Sequence, residues 1–156
     1  MLRLASYDVV FQEIPGEVTL ALNLSNCPNR CDGCHSPHLW EDTGVPLDEG
    51  VLSELFGKYE NAVTCVSFMG GDSAPYEVAR LAAFLREKTA GRIKTGWYSG
   101  KRKLPENFPS ENFAYIKLGP YIKRLGGLNT ETTNQRFYRV ENGELIDSTH
   151  LFRSRK

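Results

Sequence analysis

Apolar residues recur along this chain with two alternating periods. From Glu17 to Ser25, Val18, Leu20, Leu22 and Leu24 fall at every second position between Pro15-Gly16 and Asn26, which predicts a strand. Asp48 to Tyr59 carries Val51, Leu52, Leu55, Phe56 and Tyr59 at the three-four spacing of an amphipathic helix, with Asp48 placed to cap it. Ala62 to Met69, with Val63, Val66 and Phe68, predicts a second strand that stops at Gly70-Gly71-Asp72. Pro75 opens a further helix in which Val78, Leu81, Ala82 and Leu85 share one face, and Gly91 marks its end. Ile93 to Tyr98 and Phe113 to Leu118 predict two more strands, separated by a Pro- and Asn-containing loop from Leu104 to Asn112 with one helical turn. Phe137 to Val140 and Leu145-Ile146, joined by Glu141-Asn142-Gly143-Glu144, predict a hairpin, because Asn142-Gly143 supplies the φ > 0 pair of a tight turn.

Strands and helices alternate through most of the chain, so the expected class is α/β, with a mainly parallel sheet and covering helices. At 156 residues the chain is too short for a full (β/α)8 barrel of about 250 residues, so any barrel is incomplete. No repeat, low-complexity tract or long linker interrupts it, and residues 1–156 are expected to form one domain. Charge narrows the partners: 19 basic side chains face 19 acidic ones, and a pI near 6.8 gives no general attraction to nucleic acid or anionic lipid. No stretch approaches the roughly 18 consecutive apolar residues of a membrane span. Met1 to Val10 lacks the basic start and apolar centre of a secretory signal, so a cytoplasmic location is expected.

The cysteines carry the chemistry. Three of the four fall in Cys27-Pro28-Asn29-Arg30-Cys31-Asp32-Gly33-Cys34, whereas Cys65 stands alone in an apolar strand, as a small buried hydrophobe would. Clustered thiols in a reducing compartment point to metal rather than disulfides, and thiolates suit both zinc and iron–sulfur centres. Zinc would complete a structural Cys3His set with His35 or His38. A ferredoxin-like electron carrier would need a fourth cysteine, which only Cys65 could supply. A three-cysteine cubane instead leaves one iron open to a substrate or cofactor. Asn29 and Arg30 could donate hydrogen bonds to cluster sulfurs or simply be solvated. Gly70-Gly71-Asp72, at the carboxyl end of the second strand, lies on the side where α/β proteins bind ligands; glycines there would let backbone carbonyls approach a bound amino group.

The C-x3-C-x2-C spacing together with Gly70-Gly71-Asp72 resembles the radical S-adenosylmethionine (SAM) activating enzymes, most closely the activases of anaerobic ribonucleoside-triphosphate reductase. Gly33, His35, Ser36 and Trp40 match that activase pattern around the last cysteine, where most other radical SAM proteins carry an aromatic at the position of Gly33. Tyr98-Ser99-Gly100, Lys117-Leu118-Gly119-Pro120-Tyr121 and Thr133-Asn134-Gln135-Arg136 resemble later family segments. Asp72 stands where many relatives have Glu, the proline common after it is displaced to Pro75, and Lys117 stands near where some relatives are acidic.

The resemblance implies an oxidoreductase on an incomplete (β/α) barrel of the radical SAM type. Cys27, Cys31 and Cys34 would hold a [4Fe–4S] cluster, with SAM on its fourth iron, and Gly33, Cys34, His35, Gly70, Gly71 and Asp72 would line the cofactor site. It implies no catalytic side chain beyond cluster and SAM, and none is assigned to Lys117. The implied partners are the anaerobic reductase, which would receive a glycyl radical, and a flavodoxin or ferredoxin as electron donor. An activase of the pyruvate formate-lyase type and a zinc-stabilised binding module are the competing readings.

Overall fold

A computed structural model describes residues 2–25 and 44–153. Cys27, Cys31, Cys34, Gly33, His35, His38 and Trp40 lie outside the described residues. The elements run β1 (Arg3–Val10), β2 (Thr19–Leu24), β3 (Val45–Pro46), α1 (Glu49–Tyr59), β4 (Cys65–Met69), α2 (Pro75–Lys88), β5 (Lys94–Tyr98), a 3-10 turn at Ser110–Asn112, β6 (Tyr115–Leu118), β7 (Arg136–Glu141), β8 (Glu144–Asp147) and α3 (His150–Arg153). The strands form an eight-stranded sheet in the order β3-β1-β2-β4-β5-β6-β7-β8.

Several expectations hold in detail. Asp48 caps α1, its side chain accepting the Val51 N–H at 2.8 Å, and Pro75 stands in the first turn of α2, where its missing N–H costs nothing. Asn142 and Gly143 take φ values of 52° and 79°, as the β7–β8 turn requires. Leu20, Leu22 and Leu24 of β2 point to the face on which α1 and α2 lie, and pack with Val66, Phe68 and Trp97 into the main core. On the opposite face Ile14, Cys65, Phe137 and Phe152 form a second, smaller cluster.

The architecture itself departs from expectation. The incomplete (β/α) barrel with a mainly parallel sheet is replaced by an open mixed sheet whose edges are β3 and β8. β2, β4, β5 and β6 run parallel, but β1 pairs antiparallel with β2 and β3 antiparallel with β1 on one side, as β7 does with β6 and β8 with β7 on the other. Helices are few, and β5 reaches β6 through a 3-10 turn instead of a covering helix. The main reason lies in β1. Ser6, Tyr7 and Asp8 are exposed in sequence, and the β1–β2 register shifts between Leu4 and Ser6, so the strand carries no two-residue hydrophobic period.

At the amino ends of the parallel strands one buried carboxylate joins three elements. Glu17, 7% exposed, accepts hydrogen bonds from the Thr64 hydroxyl at 2.6 Å, the Tyr115 hydroxyl at 2.6 Å and the Lys94 ammonium at 2.9 Å. Burial pushes its pKa up, but those three donors and the Lys94 charge outweigh burial and hold it below the ordinary 4.5. A depressed folded-state value stabilises the protein above the unfolded value, and that stability is lost as pH falls through the lowered one. The wild-type urea midpoint therefore drops as pH is taken below about 4.5. In Glu17→Gln this acid limb flattens, and stability at neutral pH falls by roughly 1–3 kcal/mol because the buried donors face a weaker acceptor. An unchanged acid limb in the variant would rule Glu17 out as its source.

Candidate cofactor site at the strand carboxyl ends

β2 ends at Leu24, and after Ser25 the chain enters the cysteine-bearing segment, to return at Gly44. Both ends of that segment are fastened to the first residues of β1. The Ser25 N–H donates to Arg3 O at 3.0 Å, and the Arg3 guanidinium donates to Gly44 O at 3.1 Å. Val45 pairs with Leu4 and Pro46 with Arg3 in the β1–β3 ladder, and the Leu47 N–H donates to Leu2 O at 2.9 Å. Gly44 is required there: its φ is +91°, and a Cβ would run into the backbone of Leu4 and Ala5.

Beside the end of β2 lies the Gly70-Gly71-Asp72 turn, because β2 and β4 pair in parallel up to Asn23 and Met69. Gly71 has φ +80°, and a Cβ on it would sit 2.7 Å from Val78 Cγ2 and 2.8 Å from Leu24 Cδ1, so the turn lies flat against both α2 and β2 only as glycine. Gly70 O accepts the indole N–H of Trp97 at 2.7 Å, and the Gly70 N–H donates to Tyr98 O at 2.9 Å. One lone pair of that carbonyl is thus held on the core side, leaving the oxygen its second. Trp97 is fixed in turn by stacking on Phe108 at 4.8 Å between ring centroids.

Asp72 ties β4 to β5. Its Oδ1 accepts from the Ser99 hydroxyl at 2.5 Å and its Oδ2 from the Gly100 N–H at 2.9 Å. Lys117 ties β5 to β6: its ammonium, on a residue only 9% exposed, donates to Ser99 O at 2.9 Å and Gly119 O at 3.1 Å and lies 5.7 Å from the centre of the Tyr98 ring. A carboxylate and an ammonium thus meet the same short Ser99–Gly100 stretch from opposite sides. Of the sequence candidates, the structure brings Gly70, Gly71 and Asp72 together and adds Ser99, Gly100, Trp97 and Lys117. Ser99, Gly100 and Lys117 were visible only as parts of segments resembling the family, and nothing marked Trp97 as belonging here.

Below this edge the second face of the sheet is filled. Ile14 Cδ1 lies 3.0 Å from where a Cβ on Gly96 would stand, and the Tyr98 hydroxyl donates to Glu13 O, which draws the β1–β2 connection across the sheet. Cys65 belongs to this filled floor. It starts β4 opposite Thr19, six residues before Ser25 and so roughly 20 Å along the sheet at about 3.3 Å per residue. Burial, then the nearby Glu17 charge, pushes its thiol far above the ordinary value, which disfavours the thiolate that a metal needs. Among the described residues no group of three or more His, Cys, Asp or Glu side chains could hold a metal ion. No helix among them is long and apolar enough to cross a membrane.

Comparison with known proteins adds one match. A family model described as a 4Fe-4S single cluster domain covers residues 15–104, from just before β2 through the cysteine segment, β4, the Gly70-Gly71-Asp72 turn and β5. No curated protein and no solved structure matches the chain. The sequence fits that group: Cys27, Cys31 and Cys34 fall within one short stretch, and as thiolates they would hold three irons of a cubane and leave the fourth without a protein ligand.

Cys65→Ser tests the placement. After anaerobic reconstitution this variant retains the wild-type iron and sulfide content, about four irons per chain, while Cys31→Ser loses most of it. Loss of iron on substituting Cys65 would make it the missing fourth ligand and overturn the assignment.

Proposed function

The chain belongs to the family of 4Fe-4S single cluster domains, and from that premise we propose that it is a radical SAM activase that installs a glycyl radical on anaerobic ribonucleoside-triphosphate reductase. The observation that carries this reading is the neighbourhood of the Gly70-Gly71-Asp72 turn and the exit of the Cys27/Cys31/Cys34 segment, on adjacent parallel strand ends. A cluster held by the three thiolates would supply one electron to the sulfonium of SAM, whose cleavage gives methionine and a 5′-deoxyadenosyl radical able to remove a hydrogen atom from a backbone glycine of the reductase.

The chain's own residues bind and orient. Gly71 keeps the turn low enough for a ligand to reach its backbone, and Trp97 fixes the direction of the Gly70 carbonyl. Asp72, braced by Ser99 and Gly100, offers carboxylate oxygens at the rim to accept from the N–H groups of SAM's iron-ligating amino nitrogen and to face its positive sulfonium. Gly33, Cys34 and His35 approach the same ligand from the cysteine segment in this reading. Ile14, Cys65, Phe137 and Phe152 fill the second face of the sheet, so in this reading the substrate, a loop of another protein, meets the chain at the strand carboxyl ends. The radical step requires no general acid or base, in keeping with an edge where Asp72 and Lys117 are both engaged in hydrogen bonds.

Mixing the reconstituted, reduced protein with SAM and the anaerobic reductase yields a glycyl-radical doublet in the electron paramagnetic resonance spectrum and one 5′-deoxyadenosine per radical. A doublet obtained only with a pyruvate formate-lyase type protein would reassign the partner. An intact, reduced cluster that neither binds nor cleaves SAM would refute the activase reading.

A further inference from the structure

The formal charge of zero conceals a segregation of charge. Immediately after β5 the chain exposes Lys101, Arg102 and Lys103 in succession, and after β6 it exposes Lys123 and Arg124. Every ion pair among the described residues lies elsewhere, on Arg80, Arg92, Lys94 and Arg136, so none of these five cations has an ion-pair partner among the described residues. Their position is fixed by the same bonds that build the candidate site. The Lys101 N–H donates to Ser99 Oγ at 3.0 Å, the oxygen that in turn bonds Asp72. The Gly119 N–H donates to Lys101 O at 2.7 Å, and the chain then passes into a turn closed by the Leu125 N–H on Ile122 O, which carries Lys123 and Arg124.

We propose that this basic rim is the docking surface for an acidic protein electron carrier. The inference rests on the activase reading, which requires an electron from outside the chain, and it names where that electron enters. One electron leaves the reduced carrier, which is oxidised by one equivalent, and reduces the cluster by one; no proton or group is transferred. The rim stands on the correct edge. Strands in a sheet lie about 4.8 Å apart, so the end of β5 is roughly 10 Å from the end of β2, where the cysteine segment leaves. Transient redox encounters are small, with total buried areas below about 1,200 Å², and they depend on complementary charge for their rate. Five exposed cations gathered on two neighbouring turns, with no ion-pair partner among the described residues, on a chain of zero formal charge have the sign and the extent that such an encounter uses. It is short for nucleic acid, which is held by longer arrays of phosphate contacts.

The test uses the full reconstituted chain and follows bleaching of the cluster absorbance in stopped flow. Two donors are compared, reduced flavodoxin, which is acidic, and photoreduced 5-deazariboflavin, which is small and bears no protein surface. Lys101→Gln/Arg102→Gln/Lys103→Gln, and separately Lys123→Gln/Arg124→Gln, leave the backbone bonds of the rim in place. The triple variant should be reduced by flavodoxin at least ten-fold more slowly at low ionic strength and lose most of the salt dependence, while reduction by deazariboflavin stays at the wild-type rate. Wild-type rate and salt dependence with flavodoxin would overturn the docking surface. Equal slowing with both donors would also overturn it, since the cations would then serve the cluster and not the carrier. Failure of the activase reading looks different: donor-dependent reduction survives intact, but SAM is not cleaved.

Discussion

Everything at the candidate site depends on how β1 pins the cysteine-bearing segment. The stretch that carries Cys27, Cys31 and Cys34 begins after Ser25 and ends before Gly44, and closing a stretch of that length costs chain entropy. Arg3 and Leu4 remove that freedom at both ends, through the Ser25 N–H on Arg3 O, the Arg3 guanidinium on Gly44 O and the Leu4–Val45 pair. Because β2 also pairs with β4, fixing Ser25 fixes the segment's root beside Gly70 and Gly71. β1 also makes this side of the sheet antiparallel, as β7 does the other, so one of the strands that departs from the barrel pattern is the one that anchors the site.

A second constraint stiffens the rim. Asp72 and Lys117 are opposite charges that do not meet; each is satisfied by hydrogen bonds around Ser99. Charge-assisted hydrogen bonds of this kind are stronger than neutral ones, and removing either partner leaves buried polar groups unpaired. The ends of β4, β5 and β6 are therefore held in register by side chains where the backbone ladder stops. Lys101 inherits its position from this network, which links the proposed carrier surface to the proposed SAM edge through two hydrogen bonds.

Much of this was legible in the sequence, and the missing parts share a cause. β2, α1 and α2 were readable from the two-residue or three-four spacing of their apolar residues, β4 as a short apolar run that stops at Gly70-Gly71, and the β7–β8 turn because Asn142-Gly143 encodes its backbone angles. β1 was not, because its middle residues face solvent and a register shift breaks its alternation. Gly70-Gly71-Asp72 could be picked out as a turn at a strand end, but the bonds of Asp72 to residues 27 and 28 positions later could not. Lys117 was named only within a segment resembling the family, and its burial, with the ammonium donating to Ser99 O and Gly119 O, left no mark in the local pattern. Local period reveals elements; long-range polar pairing leaves no periodic trace.

The most direct measurement is electron–nuclear double resonance on the reduced, reconstituted protein with SAM labelled at the amino nitrogen or the carboxylate carbon. A cubane with three thiolates from one pinned segment, beside a glycine turn, predicts hyperfine coupling from both labels, as expected when the amino and carboxylate groups ligate the fourth iron. A reduced cluster that shows neither coupling at saturating SAM would contradict the account.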